Sequence, residues 1–278
     1  MGMEQDIIKR YDQLEGERGT WESHWIEIAD RVLPRYSDTM YQSNGQITKG
    51  SKRTNKAIDS TPALALERFA AAMESMLTPR TQKWHRLKPS DPFLAADHNV
   101  NLWFEQATNV LFKHRYAPKA NYASQQHEVY MGLGAFGTGI MFVDSHDKGG
   151  LRYQATDLRE LLFDLNHQGI VDTSYRKFSL TARQMQQRVD VGRWDSLPDS
   201  ISKSIKDHPD KTFEIIHCVR PREEVNTMRL DAKGKPFASY YIAVESAHRL
   251  GEGGFDVFPY QVSRYVTGPG EKYGRSPA

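Results

Sequence analysis

The chain has 278 residues, with 38% hydrophobic and 26% charged side chains and a formal net charge of +2. Such a length can bury a real core in one large or two moderate domains. A near-neutral total excludes a global field that would draw the protein onto DNA or acidic lipid, so any nucleic-acid contact rests on local patches or on many assembled copies.

The first third reads helical. Ile7, Ile8, Tyr11 and Leu14 mark a short amphipathic helix that the Gly16–Gly19 region is expected to end. Thr20 then caps a second helix with the stripe Trp21, Trp25, Ile28, Ala29 and Val32, and Pro34 stops it. Residues 35–58 are polar, without a regular apolar period, and read as a long loop, either functional or disordered until bound, that is expected to order only against a neighbouring subunit. Asp59, Ser60 and Thr61 offer N-caps, Pro62 suits a first helical turn, and Leu66, Phe69, Ala70, Met73, Met76 and Leu77 recur at helical spacing. This alanine-rich helix is expected to be a packing element, its small residues letting another backbone approach. Further helices are expected near 98–114 and over roughly 120–131.

From Gly132 the pattern turns to strands. Gly139–Val143, Leu151–Ala155, Leu161–Phe163 and Ile170–Leu180 alternate or run apolar between the turn segments HDKGG and NHQG. Thr181 and Gln184 form a capping box that opens a helix through about Val189, and a short helix follows near Leu197–Lys206. Thr212–Arg220, Val225–Leu230, Phe237–Val244 and Phe258–Val266 read as strands, with DAKGK and GEGG as turns. The expected class is α+β: a helical portion over 1–131, then a mixed, β-rich portion with two short helices over 132–278.

Few motifs carry chemistry. Gly132-Leu-Gly134-Ala-Phe-Gly137 matches GxGxxG in form, but a helix precedes it and a strand follows, the reverse of the dinucleotide fingerprint. It reads as a glycine-rich corner. The ten histidines show no HExxH or HxH, and a lone cysteine, Cys218, permits neither a thiolate cluster nor an intrachain disulfide. No catalytic, cofactor or metal residue is nominated. Lys49, Lys52, Arg53 and Lys56 place four cations in eight acid-free residues, and they are the candidates for contact with DNA or a neighbouring subunit. The charged N-terminus is not a signal peptide, and no stretch reaches membrane-spanning length, so an intracellular protein, or one released by lysis, is expected. Ser276-Pro277 announces a helix N-terminus one residue before the chain stops, which suggests an N-terminal portion of a longer protein.

Several of these pieces, in this order, resemble the portal (head-to-tail connector) proteins of short-tailed bacteriophages. They are Trp21-Glu-Ser-His-Trp25-Ile-Glu-Ile-Ala29 with Leu33-Pro34-Arg35, and Asp59-Ser-Thr-Pro62 with Leu77-Thr-Pro79. Phe136-Gly-Thr-Gly139, Gly169 to Arg176, Leu180 to Gln184, and Tyr273-Gly-Arg-Ser-Pro277 complete the set. The resemblance implies a virion protein, assembled in the bacterial host cytoplasm, that forms a ring at one capsid vertex, typically a dodecamer. It implies partners in the major capsid and scaffolding proteins, the terminase, the tail adaptor proteins and double-stranded DNA passing through the ring, with no membrane and no catalysis. This chain would represent the wing-rich part, ending at the start of a stem-type helix, and would be a monomer or weak oligomer in isolation. The alternative is a nucleic-acid-binding module acting through the basic loop 49–56.

Overall fold

The structure, a computed structural model, describes residues 2–33, 59–145, 149–226 and 228–278. The basic residues Lys49, Lys52, Arg53 and Lys56 and the loop around them lie outside the described residues. Among those described, the class is α+β, with seven helices and two sheets. Two compact units interleave along the chain: Met1–Ile26 with Asp157–Tyr260, and Glu27–Thr156 with Gln261–Ala278.

The first unit is built on a five-stranded antiparallel sheet in the order β3-β4-β5-β6-β7. Its strands are β3 (Leu161–Leu165), β4 (Val171–Thr181), β5 (Thr212–Pro221), β6 (Phe237–Ala243) and β7 (His248–Phe255). Helices cover both faces, so the central strand β5 is apolar on both sides: Ile216 and Cys218 face one core, Phe213 and Ile215 the other. The first core is closed by Ile7, Tyr11 and Leu14 of helix α1 (Met3–Val32). The second is closed by α6 (Ala182–Asp190) and α7 (Asp199–Asp207), which add Ala182, Met185 and Ile201, with Trp194 between the helices. The expected capping box is formed in full: Thr181 Oγ1 accepts from Gln184 N, and Gln184 Oε1 accepts from Thr181 N.

In the second unit, α2 (Thr61–Leu77) and α5 (Tyr122–Phe136) pack on β1 (Thr138–Ser145) and β2 (Leu151–Thr156). These strands pair antiparallel from Ile140 opposite Thr156 to Ser145 opposite Leu151, and β8 (Tyr260–Arg264) flanks β1. Ala70, Val129, Tyr130, Leu133 and Met141 form the core. A single turn, α3 (Pro92–Ala95), leads into α4 (His98–Arg115), and the side chain of Asp97 caps α4 by accepting from Asn99 N and Val100 N.

Five expectations are corrected. The chain does not break at Gly16–Gly19; α1 is one helix of 30 residues. Positions 7, 11, 14, 18, 21, 25 and 28 keep an unbroken alternation of four and three, and Arg18 occupies the step between the glycines. Its buried guanidinium donates to the carbonyls of Leu158 (3.0 Å), Leu161 (3.2 Å) and Arg159 (3.0 Å), an anchor that outweighs the roughly 1 kcal/mol helix cost of each glycine. The glycine-rich run after Met131 is the last turn of α5, not a corner beyond it; the helix stops at Gly137, whose φ is +72°. GEGG lies inside β7, because a Cβ at Gly251 would sit 3.1 Å from Trp194 Cα and one at Gly254 would sit 2.6 Å from the Ala232 carbonyl. The described part of Val225–Leu230 is not a strand, and Met228 and Leu230 are exposed. Met76 and Leu77, expected on the packed face of α2, are also exposed.

Candidate assembly surface

Two glycine-containing motifs far apart in sequence meet in the second unit. Gly274 N donates to the buried Thr138 Oγ1 at 2.9 Å, and Tyr265 N donates to the Gly137 carbonyl at 2.9 Å. Arg275 N donates to the Val266 carbonyl at 2.7 Å, extending the pairing beyond β8. The backbones cross so closely that a Cβ on Gly137 would lie 2.5 Å from the Gly274 carbonyl oxygen, and a Cβ on Gly274 would overlap the Gly137 carbonyl. Tyr273 is buried beside this crossing, and Glu271 receives both the Gly268 amide and the Arg275 guanidinium. Phe136-Gly-Thr-Gly139 and Tyr273-Gly-Arg-Ser-Pro277 thus form one junction, which fixes the position of the last described residues.

The alanine-rich helix packs on α5, but not through a small-residue face: Ala65, Ala71 and Ala72 are exposed, Ala70 is buried, and the small residue at the contact is Gly134 of α5. Its Leu66 and Phe69 side chains reach the α5 backbone at Gly134, where a Cβ would stand 2.5 Å from Leu66 Cδ1 and 2.7 Å from Phe69 Cδ1. The other face of Phe69 meets Tyr265 edge-on at 5.8 Å. Thr78, just past α2, hydrogen-bonds the Tyr130 hydroxyl at 3.0 Å. His127 of α5 lies 3.3 Å from both Glu67 and Glu74 of α2. The Arg80 guanidinium is the main cause that holds the Glu74 carboxyl below its usual range.

Beyond that packed edge, the unit exposes apolar side chains. Helix α4 buries only Thr108 and leaves Leu102, Trp103, Val110 and Leu111 in the open, Trp103 to 61%. Phe93 and Leu94 of α3 and Leu64, Met76 and Leu77 of α2 are likewise exposed. Lone exposed apolar groups are ordinary, but this many on the adjoining helices α3 and α4 mark a surface suited to association. Sequence reasoning had placed α4 without noticing that its apolar residues exceed what one core-facing stripe can use.

Buried polar groups in the first unit serve the core. His217 is enclosed between the Tyr260 hydroxyl and Ser239 Oγ, each at 2.8 Å, and stacks on Tyr241 at 4.1 Å. Burial, then the Arg176 and Arg188 charges, hold His217 well below its usual pKa. Burial likewise raises the Cys218 thiol to about 12, the reverse of what nucleophilic chemistry needs. Among the described residues no group of three His, Cys, Asp or Glu side chains is placed to hold a metal ion, and no helix is long and apolar enough to cross a membrane.

Comparison with known proteins identifies the family. Residues 4–278 match the family described as bacteriophage head to tail connecting protein. The portal protein of Salmonella phage epsilon15 is 29% identical over 276 residues, covering 97% of this chain and 48% of that protein. The probable portal protein of Bordetella phage BPP-1 is 28% identical over 274 residues, covering 98% of this chain and 48% of its own length. The chain spans about half the length of these curated relatives. With the match running through both units, the chain belongs to the bacteriophage head to tail connecting protein family.

Proposed function

We propose that this chain is the wing-rich part of a portal subunit that forms a homo-oligomeric ring at one capsid vertex. The ring is the conduit for DNA packaging and ejection. Its outer surfaces meet the major capsid and scaffolding proteins, the terminase docks on it during filling, and tail adaptor proteins follow. Assembly takes place in the host cytoplasm, and the finished protein resides in the virion.

The observation that carries this reading is the family match from residue 4 to residue 278, with both relatives named as portal proteins. The exposed apolar side chains of α3 and α4 support it, since a helix of 18 residues that buries only Thr108 gains its stability from packing against something further. A neighbouring subunit in the ring is the proposed cover. Apart from such assembly the chain is expected to be a monomer or weak oligomer, and light scattering that finds a stable dodecamer of the isolated chain would refute that expectation.

Negative-stain electron microscopy of the assembled protein purified from infected cells tests the ring. Closed rings with a central hole are expected. Only compact monomers, or only open filaments, would overturn the proposal.

A further inference from the structure

The second unit carries a concentration of positive charge that the family assignment does not use. No acidic residue occurs from Ser75 to Ser90, nor from Gln106 to His127. The fold lays these two stretches side by side. Segment 83–89, which has no regular secondary structure, runs along α4 in the opposite direction: Trp84 Nε1 donates to the Tyr116 hydroxyl at 3.0 Å, and Leu87 N donates to Thr108 Oγ1 at 3.1 Å.

The anchors face inward and the cations outward. Trp84 and Leu87 are half-buried against α4, while Lys83, Arg86 and Lys88 are exposed. Across the cleft, Arg115 stacks on Trp84 with its guanidinium carbon 4.8 Å from the ring centre, and it also meets His85 at 3.3 Å. Aromatic rings hold that charge in place at little cost in mobility. Lys113 and Lys119 add charge around the end of α4. Among the described residues, none of Lys83, Arg86, Lys88, Lys113, Arg115 and Lys119 has a carboxylate at ion-pair distance. Lys83, His85, Arg86, Glu105 and Thr108 line a groove of about 210 Å³. Among the described lining residues Glu105, on α4, is the one acid.

We propose that the groove between segment 83–88 and α4 is a binding site for the phosphodiester backbone of nucleic acid, with Lys83 and Arg86 as the direct phosphate contacts and Arg115 as a fixed charge behind them. The chemistry selects a linear polyanion over a single small anion. The exposed cations follow one another along the segment that lies against α4, and several contacts made together release counterions that one free phosphate would not. Contacts to phosphate carry no sequence information, so binding through these cations is expected to be independent of sequence. This site is separate from the 49–56 loop and needs no ring, so its failure would leave the family reading untouched.

Fluorescence anisotropy with fluorescein-labelled duplex DNA and single-stranded DNA, titrated at several salt concentrations, tests the proposal. Unlabelled inorganic phosphate and poly-glutamate serve as competitors. The isolated chain should bind both DNA forms at low salt. The double variant Lys83→Gln with Arg86→Gln should lower the salt-dependence exponent by about 2. Lys203→Gln with Lys206→Gln, on α7 of the first unit, should leave binding unchanged, and circular dichroism should show all variants folded. Effective competition by poly-glutamate would overturn the proposal in favour of an acidic protein partner. Effective competition by inorganic phosphate at equivalent charge would reduce the site to an anion pocket. Unaltered binding in the Lys83/Arg86 variant, or its loss only in a Lys52→Gln, Arg53→Gln variant, would also overturn it.

Discussion

Replacing Gly137 by alanine tests the junction of the two distant motifs, and Gly270→Ala supplies a matched control. Both glycines have positive φ, +72° and +79°, and both belong to the second unit. At Gly270 nothing lies within 4 Å of an added Cβ, so that substitution incurs only the left-handed backbone cost of about 1–2 kcal/mol. At Gly137 the same cost applies, and the Cβ also falls 2.5 Å from the Gly274 carbonyl oxygen. That atom is backbone and has no alternative rotamer, so overpacking adds about 1–3 kcal/mol. Pushing the strands apart also strains the Gly274–Thr138 and Tyr265–Gly137 hydrogen bonds, each worth about 1 kcal/mol. Gly137→Ala is therefore expected to cost roughly 3–5 kcal/mol in total. At about 2–4 °C per kcal/mol, thermal denaturation followed by circular dichroism should separate the two variants clearly. Gly274→Ala, whose φ is not positive, should fall nearer to Gly137→Ala because it carries the same clash. Equal melting temperatures for Gly137→Ala and Gly270→Ala would refute the close crossing.

Three further outcomes follow from the first unit. Arg18→Ala leaves the Leu158, Arg159 and Leu161 carbonyls without their buried donor and should cost about 3 kcal/mol in urea unfolding; Arg18→Lys should recover little, because an ammonium cannot reproduce the guanidinium fork. His217 keeps its proton off in the folded state, so the unfolded chain binds more protons below its ordinary pKa of about 6.5. Stability should therefore fall as pH drops below that value, by up to about 1.4 kcal/mol per pH unit from this group, and His217→Gln should flatten that part of the profile. A wild-type profile no steeper than the variant's would contradict the assignment. Cys218, fully buried with its thiol pushed up to about 12, should not react with a disulfide reagent in the native protein and should react at once in denaturant.

What the sequence made legible was mostly local. The Thr181–Gln184 capping box, the β4 and β5 strands and the α2 start at Asp59 to Pro62 depend on residues a few positions apart, and each stands where it was expected. What it hid depends on distant partners. Gly16 and Gly19 sit in a continuous helix because Arg18 is held by a turn some 140 residues further on. The glycines of β7 suggest a turn until Trp194 is seen against Gly251. Phe136-Gly-Thr-Gly139 and Tyr273-Gly-Arg-Ser-Pro277 were recognised separately, but nothing in their spacing shows that one glycine lies across the other. For the candidate sites the outcome is similar. The four cations of 49–56 stand out because they fall within eight residues. The cations of 83–88 and 113–119 form a site only when α4 folds beside segment 83–89.

Assembly at a capsid vertex is open to immunogold electron microscopy of intact virions with antibodies against this chain. A single gold-labelled vertex per particle, at the tail attachment point, is the expected result. Labelling spread over the whole shell, or confined to the distal tail, would contradict it.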